Sequence, residues 1–255
     1  MGDDTQRRGP RSKSVLTALA VAGALLFGGF AALGTWQVKR LFWKLDLIER
    51  VDQRVNAPAA PAPGPTQWPQ LKATQDEYRH VQASGVFLHE RETLVQAVTV
   101  LGSGFWVLTP LQLTDGTVLL VNRGFVPPEK RDRASREASE PKASTTVTGL
   151  MRMSEPGGAF LRSNDPANQR WYSRDVQAIA VAHGLSPVAP YFVDAQANPS
   201  QEWPVGGLTV IAFKNHHLVY AITWYALALM TLGAAWYLRR DEQRLRHRQT
   251  DQNAG

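Results

Sequence analysis

The sequence predicts a membrane protein of α+β class, with two transmembrane helices flanking one β-rich extracytoplasmic domain. Three observations predict it. No charged residue occurs between Lys13 and Lys39, nor between Lys214 and Arg239. Arginine is concentrated in both terminal flanks. Between the two apolar runs, helical periodicity gives way over most of the chain to short alternating stretches bounded by turn residues.

Residues 1–14 read as a basic tail and 15–36 as the first span. About 20 apolar residues cross a hydrocarbon core of roughly 30 Å, and Val15–Leu33 is almost wholly apolar. A signal peptide cleaved near Phe30-Ala31-Ala32 is the competing reading, and the length of the run argues against it. Residues 37–56 continue as a juxtamembrane helix. Leu41, Leu45, Ile48, Val51 and Val55 recur on one helical face. Residues 57–69 contain Pro58, Pro61, Pro63, Pro65 and Pro69, so they read as an extended linker.

Residues 70–215 read as the β-rich domain. Strands are expected at Arg79–Leu88, Thr93–Val100, Phe105–Leu113, Thr117–Asn122, Thr146–Met153, Tyr191–Ala195 and Leu208–Phe213, with a hairpin turn at Asp115-Gly116. Pro127–Ala143 is charged and poor in large apolar residues, which predicts an exposed excursion. Ser173–His183 predicts a short helix ending at Gly184 and burying Val176, Ile179 and Ala180. Residues 216–238 form the second expected span, opened by Tyr220, Trp224 and Tyr225 and closed by Trp236 and Tyr237. Residues 239–255 form a second basic tail.

Orientation follows from the basic flanks. Arg7, Arg8, Arg11 and Lys13 precede the first span, and Arg239, Arg240, Arg244, Arg246 and Arg248 follow the second. Both termini are therefore expected in the cytoplasm and the main domain in the periplasm. The net charge of +6 is accounted for by these tails and an anionic lipid bilayer, without nucleic acid. The chain has no cysteine, which excludes disulfides, thiolate metal sites and thiol catalysis. It has no Gly-rich phosphate loop, HExxH or GxSxG pattern, so no enzyme is expected. Asn122-Arg123-Gly124 and Asn164-Asp165-Pro166 read more readily as turn chemistry than as sites.

The remaining candidates gather where the second span begins. On a helix, His217, Tyr220, Ala221 and Trp224 fall on one face, and His216 stands beside them. Trp36 lies at the same depth on the first span. An imidazole beside flat rings at a membrane surface suits a haem ligand, and equally an interfacial anchor. The residues alone leave both roles open.

These same residues carry a resemblance. Leu33-Gly34-Thr35-Trp36-Gln37 with Arg40 and Lys44, Glu77-Tyr78-Arg79, Val121–Pro127, Asn164-Asp165-Pro166 with Trp171-Tyr172 and Asp175, Gly206-Gly207, and Asn215-His216-His217-Leu218 with Tyr220-Ala221, Thr223-Trp224-Tyr225 and Leu227-Ala228 resemble, in order, the motifs of the surfeit locus protein 1 family. The resemblance runs from about Leu33 to Arg239. Phe125 stands where the family usually has Trp, and His216 where Asn is common. The resemblance implies a non-enzymatic assembly factor of the bacterial inner membrane, serving cytochrome c oxidase. It implies haem a as a transiently bound cofactor, with His217 as ligand to the haem iron and Tyr220, Trp224, Trp36 and His216 around it. It further implies haem A synthase and the oxidase catalytic subunit as partners. A scaffold holding an oxidase assembly intermediate, without haem, is the alternative.

Overall fold

The computed structural model of the chain describes residues 10–159, 161–197, 203–213 and 215–253. Arg7, Arg8 and Lys214, among the flanking charges named above, lie outside the described residues. In chain order the elements are α1 (Lys13–Asn56), β1 (Ala60–Pro61), α2 (Ala73–Asp76), β2 (His80–Phe87), β3 (Thr93–Thr99), β4 (Gly102–Leu113), β5 (Val118–Val126), β6 (Thr145–Met153), α3 (Val176–Ala182), β7 (Val188–Ala195) and α4 (His217–Asn253). They form two units, one of Met1–Ile48 with Phe213–Gly255 and one of Glu49–Ala212.

Both α1 and α4 are long and apolar enough to cross a membrane. Helix α1 runs without interruption for 44 residues, through the apolar run and on through the amphipathic stretch. It stops where Pro58 disfavours helical geometry in the residue before it.

In the second unit the strand pairings close on themselves. β2 pairs β6, β6 pairs β7, β7 pairs β5, β5 pairs β4, and β4 returns to β2. All of these pairings are antiparallel except β5–β7, which is parallel. β1 adds to the edge of β2, and β3 to the first half of β4. Alternate side chains of β5 divide the apolar interior in two. Leu119 and Val121 point into the ring, with Val81, Leu111, Met151, Tyr191 and Val193. Val118 and Leu120 point outward, under Trp171 and the α3 residues Val176, Ile179 and Ala180. β5 is thus buried on both faces, which is why it reads as a continuous apolar run.

Four local expectations are corrected. Asn122-Arg123-Gly124 is no turn: it continues β5, four residues beyond the expected end. Gly124 has φ +135°, and a Cβ there would sit 2.2 Å from the Val205 carbonyl oxygen. That close approach lets Phe125 and Val205 exchange two backbone hydrogen bonds, each 2.9 Å. Leu208–Phe213 is not a strand; single contacts at Gly207, just before it, and at Thr209 tie it to β7. Gly207 N–H donates to the Ala195 carbonyl, and the Thr209 hydroxyl to Asp194. Pro127–Ala143 is not merely a solvated excursion. Its short 3₁₀ turns bury Arg136 and Glu140, which pair with Glu92 and Arg133. The proline-rich stretch is extended but docked. Ala60–Pro61 pairs Val81–Gln82, and the Pro63 carbonyl accepts both the Trp68 indole N–H and the Tyr191 hydroxyl at 2.8 Å. Burial pushes the Tyr191 phenol pKa up, so it stays a neutral donor.

One buried carboxylate ties these pieces together. Asp194 on β7 accepts from Asn122 at 2.7 Å, Arg152 at 3.0 Å, Arg174 at 3.1 Å and Thr209 at 3.0 Å. Burial works against the Arg152 charge, yet Asp194, Glu155 and Glu77 hold its pKa above the ordinary value. Removing one partner of such a pair costs about 3–5 kcal/mol. Asp194→Asn is expected to lower the unfolding free energy of the purified chain by that order, read as a fall in the denaturant midpoint.

His183 supplies a pH dependence. Its Nε2 lies 2.9 Å from the Thr93 hydroxyl, and burial, with Arg91 nearby, lowers its pKa. The unfolded chain therefore takes up this proton below about pH 6.5, where the folded chain still resists it. Stability from this group is full above that pH and falls as pH drops toward the lowered folded value. Denaturation curves of the parent and His183→Gln between pH 5 and 8 should converge toward the acid end. Parallel curves would remove His183 as the cause.

Candidate functional site

The site is built in the first unit, where α1 and α4 meet. On α1, Phe30, Gly34 and Gln37 recur at steps of four and three, placing them on one face. On α4, His217, Ala221, Trp224 and Ala228 do the same, and Ala221 and Ala228 are buried. Small residues at such a seam let helix backbones approach. Gly34 is the clearest case: a Cβ there would lie 2.9 Å from the Tyr225 ring. The Tyr225 hydroxyl meets the Thr35 hydroxyl at 3.1 Å, and Thr35 donates back to the Ala31 carbonyl. Beside them Phe30 stacks on Trp224, with ring centroids 5.8 Å apart and planes 26° from parallel.

Two turns further toward the start of α4, His217 Nδ1 lies 2.8 Å from Gln37 Oε1. An amide oxygen only accepts, so this contact puts the imidazole proton on Nδ1. Nε2 is left without a hydrogen bond among the described residues. A metal-ligating histidine is oriented in the same manner, by a partner on its other ring nitrogen. The Asn215 side-chain oxygen accepts the His217 amide at 3.4 Å, satisfying one of the unpaired amides of the helix start.

The five sequence-predicted residues fall into three positions. His217 is half-buried and oriented; His216 beside it is exposed, and its carbonyl accepts the Tyr220 amide. Trp224 is half-buried in the seam. Trp36 and Tyr220 are 57% and 55% exposed, and no ring contact joins Trp36 to Trp224 among the described residues; Phe30 takes that place. The residues that sequence reasoning missed are Gln37 and Phe30. Both were findable: with Gly34 they form the α1 stripe that matches the α4 stripe. Among the described residues no group of three or more His, Asp or Glu side chains is placed to hold a metal ion. Among the described residues the seam presents a single imidazole nitrogen to a metal, a donor number that suits a haem iron better than a bare cation.

Fold and seam together define a class of protein, in which two long terminal helices share an oriented histidine and a closed ring of strands lies between them in the sequence. Residues 24–229 match the SURF1 family. The chain is 35% identical to Surfeit locus protein 1 of Homo sapiens over 217 residues, covering 78% of this chain and 70% of that one. It is 36% identical over 216 residues to the Rattus norvegicus protein of the same name, covering 78% and 68%. It is 34% identical over 245 residues to a SURF1-like protein of Monosiga brevicollis, covering 90% and 89%. The chain belongs to the SURF1 family.

The absence of native cysteine makes the seam directly testable. Paired Gln37→Cys and His217→Cys substitutions should form an intrachain disulfide on mild oxidation, seen as a linked peptide by mass spectrometry. Paired Trp36→Cys and His216→Cys should link far less, because both side chains face away from the seam.

Proposed function

We propose that this protein is an assembly factor for cytochrome c oxidase that binds haem a at His217 and helps deliver it to the catalytic subunit. The observation that carries the reading is the His217–Gln37 hydrogen bond, which occupies Nδ1 and leaves Nε2 without a hydrogen bond among the described residues. His217 would hold haem a, and the haem would supply an iron able to accept the imidazole nitrogen. The chain's own residues do the rest. Gln37 holds the proton on Nδ1 and sets the ring orientation. The Phe30–Trp224 stack and the Gly34–Tyr225 contact hold the two helices at the spacing this requires. Trp36 and Tyr220, exposed on either side, offer flat apolar surface to a planar ligand. One imidazole at an open seam suits a ligand that is held briefly and passed on.

In this reading α1 and α4 span the bacterial inner membrane, with residues 15–36 and 216–238 in the bilayer. Both basic ends lie in the cytoplasm and the strand domain in the periplasm. The length and composition of the helices support this, as does the arginine excess at their terminal flanks. Haem A synthase is the source of the ligand and the oxidase catalytic subunit its recipient. A second reading keeps the assembly role and drops the haem. The His217–Gln37 bond also pins α1 to α4, and that pin alone would serve a scaffold holding an assembly intermediate.

Co-expression with haem A synthase, followed by purification and absorption spectroscopy, separates the two. The haem a band should appear in the parent protein and in His216→Ala, and be lost in His217→Ala. Gln37→Ala should weaken it by roughly 10–100-fold in affinity, the usual effect of removing a residue that orients a ligand. No band in the parent protein would leave the scaffold as the function.

A further inference from the structure

The opposite end of the helix pair carries a feature that haem handling does not use. Near the start of α1 and beyond the apolar part of α4 lies a groove of about 420 Å³, in the size range of small-molecule sites. Leu16, Leu19 and Ala20 form one wall, and Leu238 continues the apolar surface from α4. The other end of the groove is basic, lined by Arg239 and Arg246.

The charges there are unequally committed. Glu242, which also lines the groove, accepts the Arg11 amide at 3.1 Å and the Arg246 Nε–H at 3.0 Å. Arg11 also reaches Asp241 at 3.1 Å. Each carboxylate is thus already matched by a guanidinium. Arg239 makes no ion pair among the described residues. Its position is one residue past Leu238, where the apolar run of α4 ends, beside the exposed rings of Trp236 and Tyr237. Aromatic rings of this kind mark the depth of lipid headgroups. The groove therefore runs from an apolar wall at hydrocarbon depth to an uncommitted guanidinium at headgroup depth.

We propose that this groove is a binding site for an anionic phospholipid, with an acyl chain along Leu16, Leu19 and Ala20 and the phosphate at Arg239 and Arg246. The inference rests on the reading that α1 and α4 span a bilayer. Charge complementarity selects the occupant. A free phosphate would use only the basic end, and a neutral lipid only the apolar wall; an anionic amphiphile uses both. Basic pockets between transmembrane helices on the cytoplasmic side bind anionic headgroups by this logic.

Native mass spectrometry of the full-length, delipidated protein tests it, with phosphatidylglycerol and phosphatidylcholine of identical chains as probes. Phosphatidylglycerol should be retained over phosphatidylcholine, and Arg239→Gln should reduce its occupancy roughly fivefold, the worth of one basic residue at an anionic headgroup. Ala20→Trp, which fills the apolar wall and changes no charge, should reduce it as well. Circular dichroism confirms that each variant keeps its helices, and Arg246→Gln is scored in the same way as a second charge variant. Equal retention of the two lipids, or retention indifferent to all three variants, overturns the proposal. So does displacement of phosphatidylglycerol by millimolar inorganic phosphate, which would identify a site for phosphate alone. Alkaline carbonate extraction of cell membranes tests the spanning reading separately. Release of the protein there would sink that reading, while the lipid titration stands on its own result.

Discussion

The strand domain is organised around the need to satisfy one buried carboxylate. Asp194 has almost no access to water, and a charge in that position is tolerated only when its lone pairs are filled. The four donors come from β5, β6, the segment before α3 and the segment that leads toward α4. Each of those stretches is thereby tied to β7. The constraint reaches the backbone too. Where β7 ends, Gly207 donates to the Ala195 carbonyl, and Gly206 passes so close to Gln196 that a side chain would not fit. The irregular course of 206–209 follows from this. A regular strand there would carry Thr209 and the two glycines away from the groups they serve.

The helix pair obeys different physics. On the proposed reading that α1 and α4 span a bilayer, apolar side chains gain little by leaving lipid for one another, so association rests on close packing and a few hydrogen bonds. The seam between α1 and α4 has both. Gly34, Ala221 and Ala228 supply closeness, and the Thr35–Tyr225 and His217–Gln37 pairs supply direction. The polar pairs are few, so each has a large share in fixing the relative rotation of the two helices. A histidine placed in such a seam is positioned by the same bond that helps hold the seam together. That coupling is why a ligand role and a pinning role for His217 have to be separated by spectroscopy, since removing the residue removes both.

Much of the domain was legible because its signals are local. The α3 helix, its end at Gly184 and its buried face of Val176, Ile179 and Ala180 follow from spacing and turn chemistry within a dozen residues. The Asp115-Gly116 turn is equally local: the Asp115 carboxylate accepts both the amide and the hydroxyl of Thr117. Asn122-Arg123-Gly124 was misread for the opposite reason. Asn and Gly are turn residues by local propensity, but Asn122 answers to Asp194, 72 positions away, and Gly124 to the backbone of Val205. The buried Arg136 likewise looks solvated in sequence, because its partner Glu92 lies 44 positions earlier. The candidate site divides along the same line. His217, Trp224 and Trp36 stand out by residue type and depth, whereas Gln37 gains its meaning only opposite His217.

By itself, then, the sequence determined most of the element types, the long apolar helices, the basic flanks and the stretch in which the candidate histidines sit. Each of these is encoded in periodicity, composition and capping over one or two turns of chain. Only the tertiary structure decided which strands close the ring, that the proline-rich stretch docks on β2, that Trp224 stacks on Phe30 and not on Trp36, and that His217 and not His216 faces the seam. Those outcomes depend on pairings between groups far apart in sequence. Their free energy exists only once packing has brought the partners within about 3–4 Å of each other and removed the competing water.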